Sequence, residues 1–295
     1  MKVLERPLIN GKTKVVGIFG DPVEHTFSPA MHNAAFTALK LNFVYLPFRV
    51  KKEELPAAVT GLRALGLAGV NITVPHKEAV LPYLDEITSE ARLIGAVNTV
   101  VNRNGRLTGY NTDATGFLRA FREAGFEPAG AEAVVLGAGG AARAVCMALG
   151  MAGVRRITVF NRTYERAQTL ARDVQANTKT TATALHWEEL NKEGAGVIRA
   201  ASAVVQTTSM GMHPEETACP AVPPTAFRKN QLVVDLIYNP EETQFLRTAA
   251  GAGATTQNGM KMLLYQGAEA FELWTGSSPP VEVMLRGLEE CRKTN

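Results

Sequence analysis

The stretch Ala133-Val134-Val135-Leu136-Gly137-Ala138-Gly139-Gly140-Ala141-Ala142 runs from a β-branched apolar segment through a glycine turn into an alanine-rich helical segment. This is GxGxxA at a strand-to-helix junction. The first glycine, Gly137, permits a tight turn. The second, Gly139, lets the backbone approach a pyrophosphate, with Ala138, Gly140 and Ala141 around it. The small third residue, Ala142, lets helix and strand pack closely. The free N–H groups at the helix start favour an anion there. The pattern predicts a Rossmann-type dinucleotide-binding domain; a glycine turn without a ligand is the plainer alternative.

The next strand narrows the cofactor. It ends Phe160-Asn161-Arg162-Thr163, with Arg166 one turn into the following helix. An acidic residue at this strand end hydrogen-bonds the ribose 2′-hydroxyl of NAD, whereas an arginine accommodates the 2′-phosphate of NADP. Asn161 is not acidic, and Arg162 offers a planar fork suited to phosphate, with Arg166 in support. Glu165 lies beside them. The expected cofactor is NADP(H), held by Gly137–Ala141, Asn161, Arg162, Thr163 and Arg166.

Outward from this site, apolar runs alternate with helix-like segments. Before it come VVGIFG from Val15, FVYLPFRV from Phe43, GVNITVP from Gly69 and AVNTVVN from Ala96; after it come RITVFNR from Arg156, ASAVVQTT from Ala201 and QLVVDLIY from Gln231. Helical candidates such as PAMHNAAFTALK, AARAVCMALGMAG and ERAQTLARDVQA lie between. This alternation predicts parallel-sheet α/β architecture, and continuous apolar strands suit sheets buried on both faces. AVNTVVN and RLTGYN are joined by Arg103-Asn104-Gly105, a hairpin signal that puts one antiparallel strand in the first sheet. Two α/β domains are expected. Residues 1–113, with a helical tail from Met260 folding back, form a mixed, mostly parallel substrate domain. Residues 114–259 form the dinucleotide domain. A cleft between them would close on its ligands.

Composition allows this and excludes other classes. With 295 residues, 46% apolar and 20% charged, the chain can bury the cores of two domains. A net charge of +3 without a Lys/Arg cluster gives no reason to expect nucleic acid. No apolar run is long enough to span a membrane, and the opening MKVLERPLINGKTK has no signal core. Cys146, Cys219 and Cys291 form no CxxC pair, which suits reduced thiols in the cytoplasm. His25 and His32 lack ligand spacing, so no metal is expected, and His32 reads as a packing residue.

Polar residues stand at the ends of buried strands in the first half: Asn71, Thr73 and Lys77 in NITVPHK, Asn98-Thr99 in GAVNT, and Asn111-Thr112-Asp113 after the hairpin. Buried polar groups need partners, and at strand ends the partner is often a ligand. With these residues the chain resembles the shikimate dehydrogenase family. GDPVEHTFSPAMHNAAF from Gly20 resembles its substrate-carboxylate loop. NITVPHK, GAVNT and GYNTDATG resemble its catalytic strands, and LGAGGAARA and NRTYERA its cofactor loops. QTTSMGM from Gln206, DLIYNP from Asp235 and NGMKMLLYQGAEAF from Asn258 resemble its closing motifs.

The resemblance implies reversible NADPH-dependent reduction of 3-dehydroshikimate to shikimate, in aromatic amino-acid biosynthesis, by a monomer or homodimer. Lys77 and Asp113 would be the acid–base pair, on different strands but aimed into one cleft. Desolvation lowers a lysine's proton affinity and a neighbouring carboxylate raises it. Proton transfer by Lys77, and mere orientation of the hydroxyl by it, therefore both stay open. The plainer readings are a solvated lysine and an N-cap at Asp113. Thr26 and Ser28 would bind the carboxylate, or Ser28 would cap a helix with Pro29 at its first position. Asn71, Thr73, Asn98, Tyr238 and Gln266 would hold ring hydroxyls. Leu236 and Gly259 would lie on the nicotinamide side. Two residues depart from the family pattern: Thr26 replaces a serine, and Gln206 replaces an asparagine. The rivals are a quinate/shikimate dehydrogenase with relaxed substrate or cofactor choice, and a non-catalytic nucleotide sensor, which need not keep Lys77 and Asp113.

Overall fold

The computed structural model describes residues 9–294. Chain contacts divide it into two compact units, one up to Gly116 and again from Leu263, the other Phe117–Met262.

The first unit contains, in order, β1 (Lys14–Gly20), α1 (Ser28–Ala38), β2 (Phe43–Arg49), α2 (Leu55–Ala64), β3 (Gly69–Ile72), β4 (Glu86–Ile87), α3 (Ser89–Ile94), β5 (Thr99–Arg103) and β6 (Arg106–Tyr110). The helix α4 (Asp113–Glu123) then leads into the second unit. The sheet order is β2-β1-β3-β5-β6-β4. Only β5 runs against its neighbours, antiparallel to both β3 and β6. The cause is the turn predicted from Asn104-Gly105, whose φ angles are 54° and 87°. Two successive positive φ angles give the turn whose twist matches a hairpin. Val70, Ile72, Val97, Val100 and Leu107 fill the core beneath α2, together with Leu55, Val59 and Leu62.

The second unit is a doubly wound parallel sheet. Its elements are β7 (Glu132–Leu136), α5 (Gly140–Met151), β8 (Arg156–Asn161), α6 (Tyr164–Asn177), β9 (Thr181–His186), α7 (Glu193–Ala200), β10 (Ala203–Gln206), β11 (Leu232–Asp235), α8 (Gln244–Gly251) and β12 (Thr255–Gln257). The order β12-β11-β10-β7-β8-β9 reverses direction at β7. All five pairings are parallel. The glycine loop leaves β7 at this switch point, where ligands of such sheets bind. The helix α9 (Met260–Thr275) returns the chain to the first unit, and α10 (Val281–Thr294) packs there against α1.

Candidate functional site

In the first unit the polar residues singled out from the sequence converge just past the strand ends. Lys77 lies in the turn after β3 and Asp113 is the first residue of α4, so neither sits on a strand, contrary to expectation. Lys77 Nζ is 2.6 Å from Asp113 Oδ2, with side chains only 15% and 6% exposed. A pair this enclosed is screened little by solvent, and loss of one partner leaves a buried charge. The plainer readings therefore fail: Lys77 is not a solvated surface lysine, and Asp113 does not spend its carboxylate on a cap. Asn111 caps α4 instead, its Oδ1 accepting from Asp113 N at 3.1 Å and Ala114 N at 3.3 Å. Its Nδ2 donates to Ala96 O, which fixes the amide.

Asn98 joins these groups. Its Nδ2 has three acceptors in reach, Thr112 Oγ1 at 2.9 Å, Asp113 Oδ1 at 3.0 Å and Gln266 Oε1 at 3.2 Å. Two hydrogens cannot fully satisfy three acceptors. Lys77 spends one of three donors on Asp113. The cluster thus keeps spare acceptors at Asp113 and Gln266 and spare donors at Lys77, which suits a ligand bearing hydroxyl and carbonyl groups. Thr73 is half-buried beside it, and its backbone N–H donates to Phe19 O. Asn71 is more committed: its Oδ1 accepts from Tyr45 OH at 2.8 Å, and its Nδ2 donates to Asn98 O and Thr99 Oγ1. Tyr45 was not foreseen from the sequence. Its place in an apolar edge strand hides the polar end of the ring.

Thr26 and Ser28 stand together at the start of α1. Thr26 Oγ1 donates to Ser28 Oγ at 3.2 Å, and Ser28 N donates to Thr26 Oγ1. The helix begins at Ser28 with Phe27 at the cap position and no side-chain cap, so Pro29 is second in the helix rather than first. The Ser28 hydroxyl is therefore not consumed by capping. His32, one turn further, is fully buried and lies flat on Tyr45 with ring centroids 4.5 Å apart. Burial holds its pKa down at about 3, so it is a neutral packing residue.

In the second unit Gly137 has φ +113°, and a Cβ there would lie 2.6 Å from Thr207 Oγ1. Thr207 also donates to Leu136 O at 2.7 Å, bracing the loop. A Cβ on Gly139 would meet nothing within 4 Å, so the loop is open on that side. The helix α5 begins at Gly140 with no side-chain cap. Its first N–H groups therefore have no side-chain cap, and such groups are what a pyrophosphate takes. Ala142 is wholly buried at the packing position, while Ala138 is buried and Ala141 half-buried. Asn161 Nδ2 donates to Thr163 O at 2.8 Å, fixing the turn that presents exposed Arg162. Thr163, Glu165 and Arg166 are also exposed. The residues present fit a phosphorylated dinucleotide: an open glycine turn, an uncapped helix start and an arginine where a carboxylate would repel phosphate.

Gln206 and Asp235 end adjacent strands in register. Gln206 clasps the next loop through Thr208 N, Thr208 O and Met210 O. Asp235 clasps the following turn through Ile237 N at 3.0 Å and Thr243 Oγ1 at 2.7 Å. Burial pushes the Asp235 carboxyl up to about 7, against these two hydrogen bonds. The turn carries Leu236, whose N–H donates to Gln206 O, and half-buried Tyr238; Gly259 N donates to Ile237 O at 3.0 Å. Among the described residues no group of His, Cys, Asp and Glu could hold a metal ion, and no helix is long and apolar enough to cross a membrane.

The chain is similar to known proteins over most of its length. Three family models match: "Shikimate dehydrogenase substrate binding domain" over residues 18–100, "Shikimate / quinate 5-dehydrogenase" over 121–236, and "Shikimate 5'-dehydrogenase C-terminal domain" over 259–288. Shikimate dehydrogenase (NADP(+)) from Desulforamulus reducens is 54% identical over 283 residues, 96% of this chain and 97% of that protein. A crystal structure of shikimate 5-dehydrogenase from Listeria monocytogenes with shikimate and NAD is 38% identical with TM-score 0.85, covering 96% of this chain and 98% of that one. The Thermus thermophilus enzyme, solved with NADP(H) and shikimate, is 40% identical with TM-score 0.83, covering 95% and 100%.

Proposed function

The chain belongs to the shikimate dehydrogenase family, and on that premise we propose that it catalyses the reversible NADPH-dependent reduction of 3-dehydroshikimate to shikimate. The observation that carries this reading is the enclosed Lys77–Asp113 pair, with spare donors on the lysine and spare acceptors on Asp113 and Gln266. A nucleotide sensor has no use for such a pair. The test is the reduced-nicotinamide absorbance on mixing the protein with shikimate, using NADP and NAD in parallel. Turnover with NADP well above that with NAD supports the reading, and none with either refutes it.

In this reading the first unit holds substrate. Ser28 and Thr26 would donate hydroxyls to the ring carboxylate. Asn98, Gln266 and Thr73 would position ring hydroxyls, with Asn71 held among them by Tyr45. Lys77 Nζ would contact the reacting oxygen: in reduction it donates a proton or hydrogen bond there, and in oxidation it accepts the proton or stabilises developing negative charge. Asp113 keeps Lys77 in place through their 2.6 Å contact.

The second unit would hold the dinucleotide. Gly137–Ala141 would take the pyrophosphate on backbone N–H groups, and Arg162 the 2′-phosphate, with Arg166, Asn161 and Thr163 shaping that end. Leu236 and Gly259 would face the nicotinamide, and Tyr238 the substrate. When bound, NADP(H) supplies or accepts the hydride. A preference for NAD has less support, because Asn161, beside Arg162, is not a carboxylate that would bond a free ribose 2′-hydroxyl. We further propose a cytoplasmic protein acting as monomer or homodimer without nucleic-acid partners.

A further inference from the structure

We propose that Glu269 is a positioning residue for the acid–base pair: its carboxylate grips the start of α4 through Thr115, and its charge acts on the Lys77–Asp113 couple. This rests on the functional reading above. Gln266 and Glu269 are three residues apart on α9 and so share one face of it. Gln266 accepts from Asn98, the amide that also donates to Asp113. Glu269 Oε2 accepts from the Thr115 hydroxyl, two residues beyond Asp113. Between these contacts Gly116 packs against α9 so closely that a Cβ would lie 2.6 Å from Gln266 N and 2.9 Å from Gln266 Cβ. The first turn of α4, which sets the direction of Asp113, is therefore clasped by α9 at Gln266 and at Glu269.

Charge gives the clasp its second role. Burial pushes the Glu269 carboxyl up; the charges of Glu272 on α9 and Asp113 on α4 push the same way, and the Thr115 hydrogen bond opposes them. Asp113 in turn is bonded to the Lys77 cation. Among the described residues Glu269 has no ion-pair partner of its own. Interaction between two ionisable sites is mutual: the Asp113 charge acts on Glu269, and a charge on Glu269 acts back on the Lys77–Asp113 couple. The arrangement steps inward from exposed Thr115, through half-buried Glu269 and buried Asp113, to Lys77.

The experiment compares wild type, Glu269→Gln, Thr115→Val and Thr115→Ser. Initial rates of shikimate oxidation with NADP are followed from roughly pH 6 to 10 to find the rising limb of the couple, and thermal midpoints are taken alongside. Glu269→Gln keeps an acceptor for Thr115 but removes the charge. Its limb should move to lower pH by about 0.5–1 unit, so that on the limb it is about three- to tenfold faster, while the plateau rate falls less than about threefold. Thr115→Val removes the donor that favours the Glu269 charge and should move the limb the same way; Thr115→Ser should keep the wild-type limb. A purely structural role would lower the midpoint and leave the limb in place. Coincident limbs for wild type and Glu269→Gln overturn the proposal, and if that variant does not fold, coincident limbs for Thr115→Val and Thr115→Ser do so. A wild type that oxidises no shikimate overturns the functional reading and this inference with it, a result distinct from coincident limbs in an active enzyme.

Discussion

Asp235 gives the second unit a pH-dependent stability. It is buried at the end of β11 with two hydrogen-bond donors and, among the described residues, no ion-pair partner, and its folded pKa is about 7. An unfolded aspartate titrates near 3.9, roughly. The folded pKa is raised, so between about pH 4 and 7 the folded state binds more protons than the unfolded state, and stability falls as pH rises across that window. Below it both states are protonated and nothing is lost; above it the loss is constant. Linkage with these two values makes the loss between pH 5 and 8 about 2.5 kcal/mol. Asp235→Asn cannot ionise and lacks this slope, although it exchanges one hydrogen-bond direction at Thr243. Urea unfolding followed by fluorescence and circular dichroism at pH 5 and pH 8 measures the effect. The stability of the variant relative to wild type should improve by about 2–3 kcal/mol between the two pH values. Equal differences at both pH values would refute the argument and show that Asp235 is ionised throughout.

Other substitutions test individual contacts. Arg162→Ala should weaken NADP by roughly 1.5–3 kcal/mol, the range for a hydrogen bond to a charged group, and leave NAD use nearly unchanged; cofactor titrations distinguish this from an equal loss in both. Ser28→Ala should raise the KM for shikimate more than it lowers kcat, because a carboxylate contact is remote from the reacting carbon. An unchanged KM would remove Ser28 from the binding loop. Asn111→Ala removes the cap of α4 and should lower stability by about 1–2 kcal/mol in chemical denaturation, together with a loss of kcat as Asp113 loses its anchor. A fall in stability with kcat intact would show that Asp113 is held without it.

Much of the fold was legible because local chemistry and burial agree. The glycine loop follows a buried apolar strand, and Asn104-Gly105 has no comfortable alternative to a hairpin turn. The strands β4, β9 and β12 gave no signal. They lie at sheet edges, where β9 reads Thr-Ala-Thr-Ala-Leu-His with half its residues facing water and β4 has only two residues. Edge strands need no continuous apolar run. In the site, residues inside short polar motifs could be singled out. Tyr45, Thr115, Thr207 and Glu269 could not, since each resembles an ordinary strand, loop or helix residue until the partner from a distant element is in place. Asn111 was noticed as polar, but that it relieves Asp113 of capping follows only from the directions of its two hydrogen bonds.

The central claim is that Lys77 and Asp113 work as one acid–base unit, and steady-state kinetics of Lys77→Ala, Asp113→Asn and the double variant test it most directly, with shikimate binding measured separately by calorimetry. Lys77→Ala should lower kcat by at least about 10²-fold, the lower range for loss of a general acid–base group, while binding falls less because the carboxylate and ring-hydroxyl contacts remain. Asp113→Asn should also be severe, since the 2.6 Å contact that holds Lys77 loses its charge. The double variant should be little worse than the more damaging single one, as for groups acting together. Near-normal turnover in Lys77→Ala would contradict the account, and strictly additive losses would contradict the claim that the two residues act as a pair.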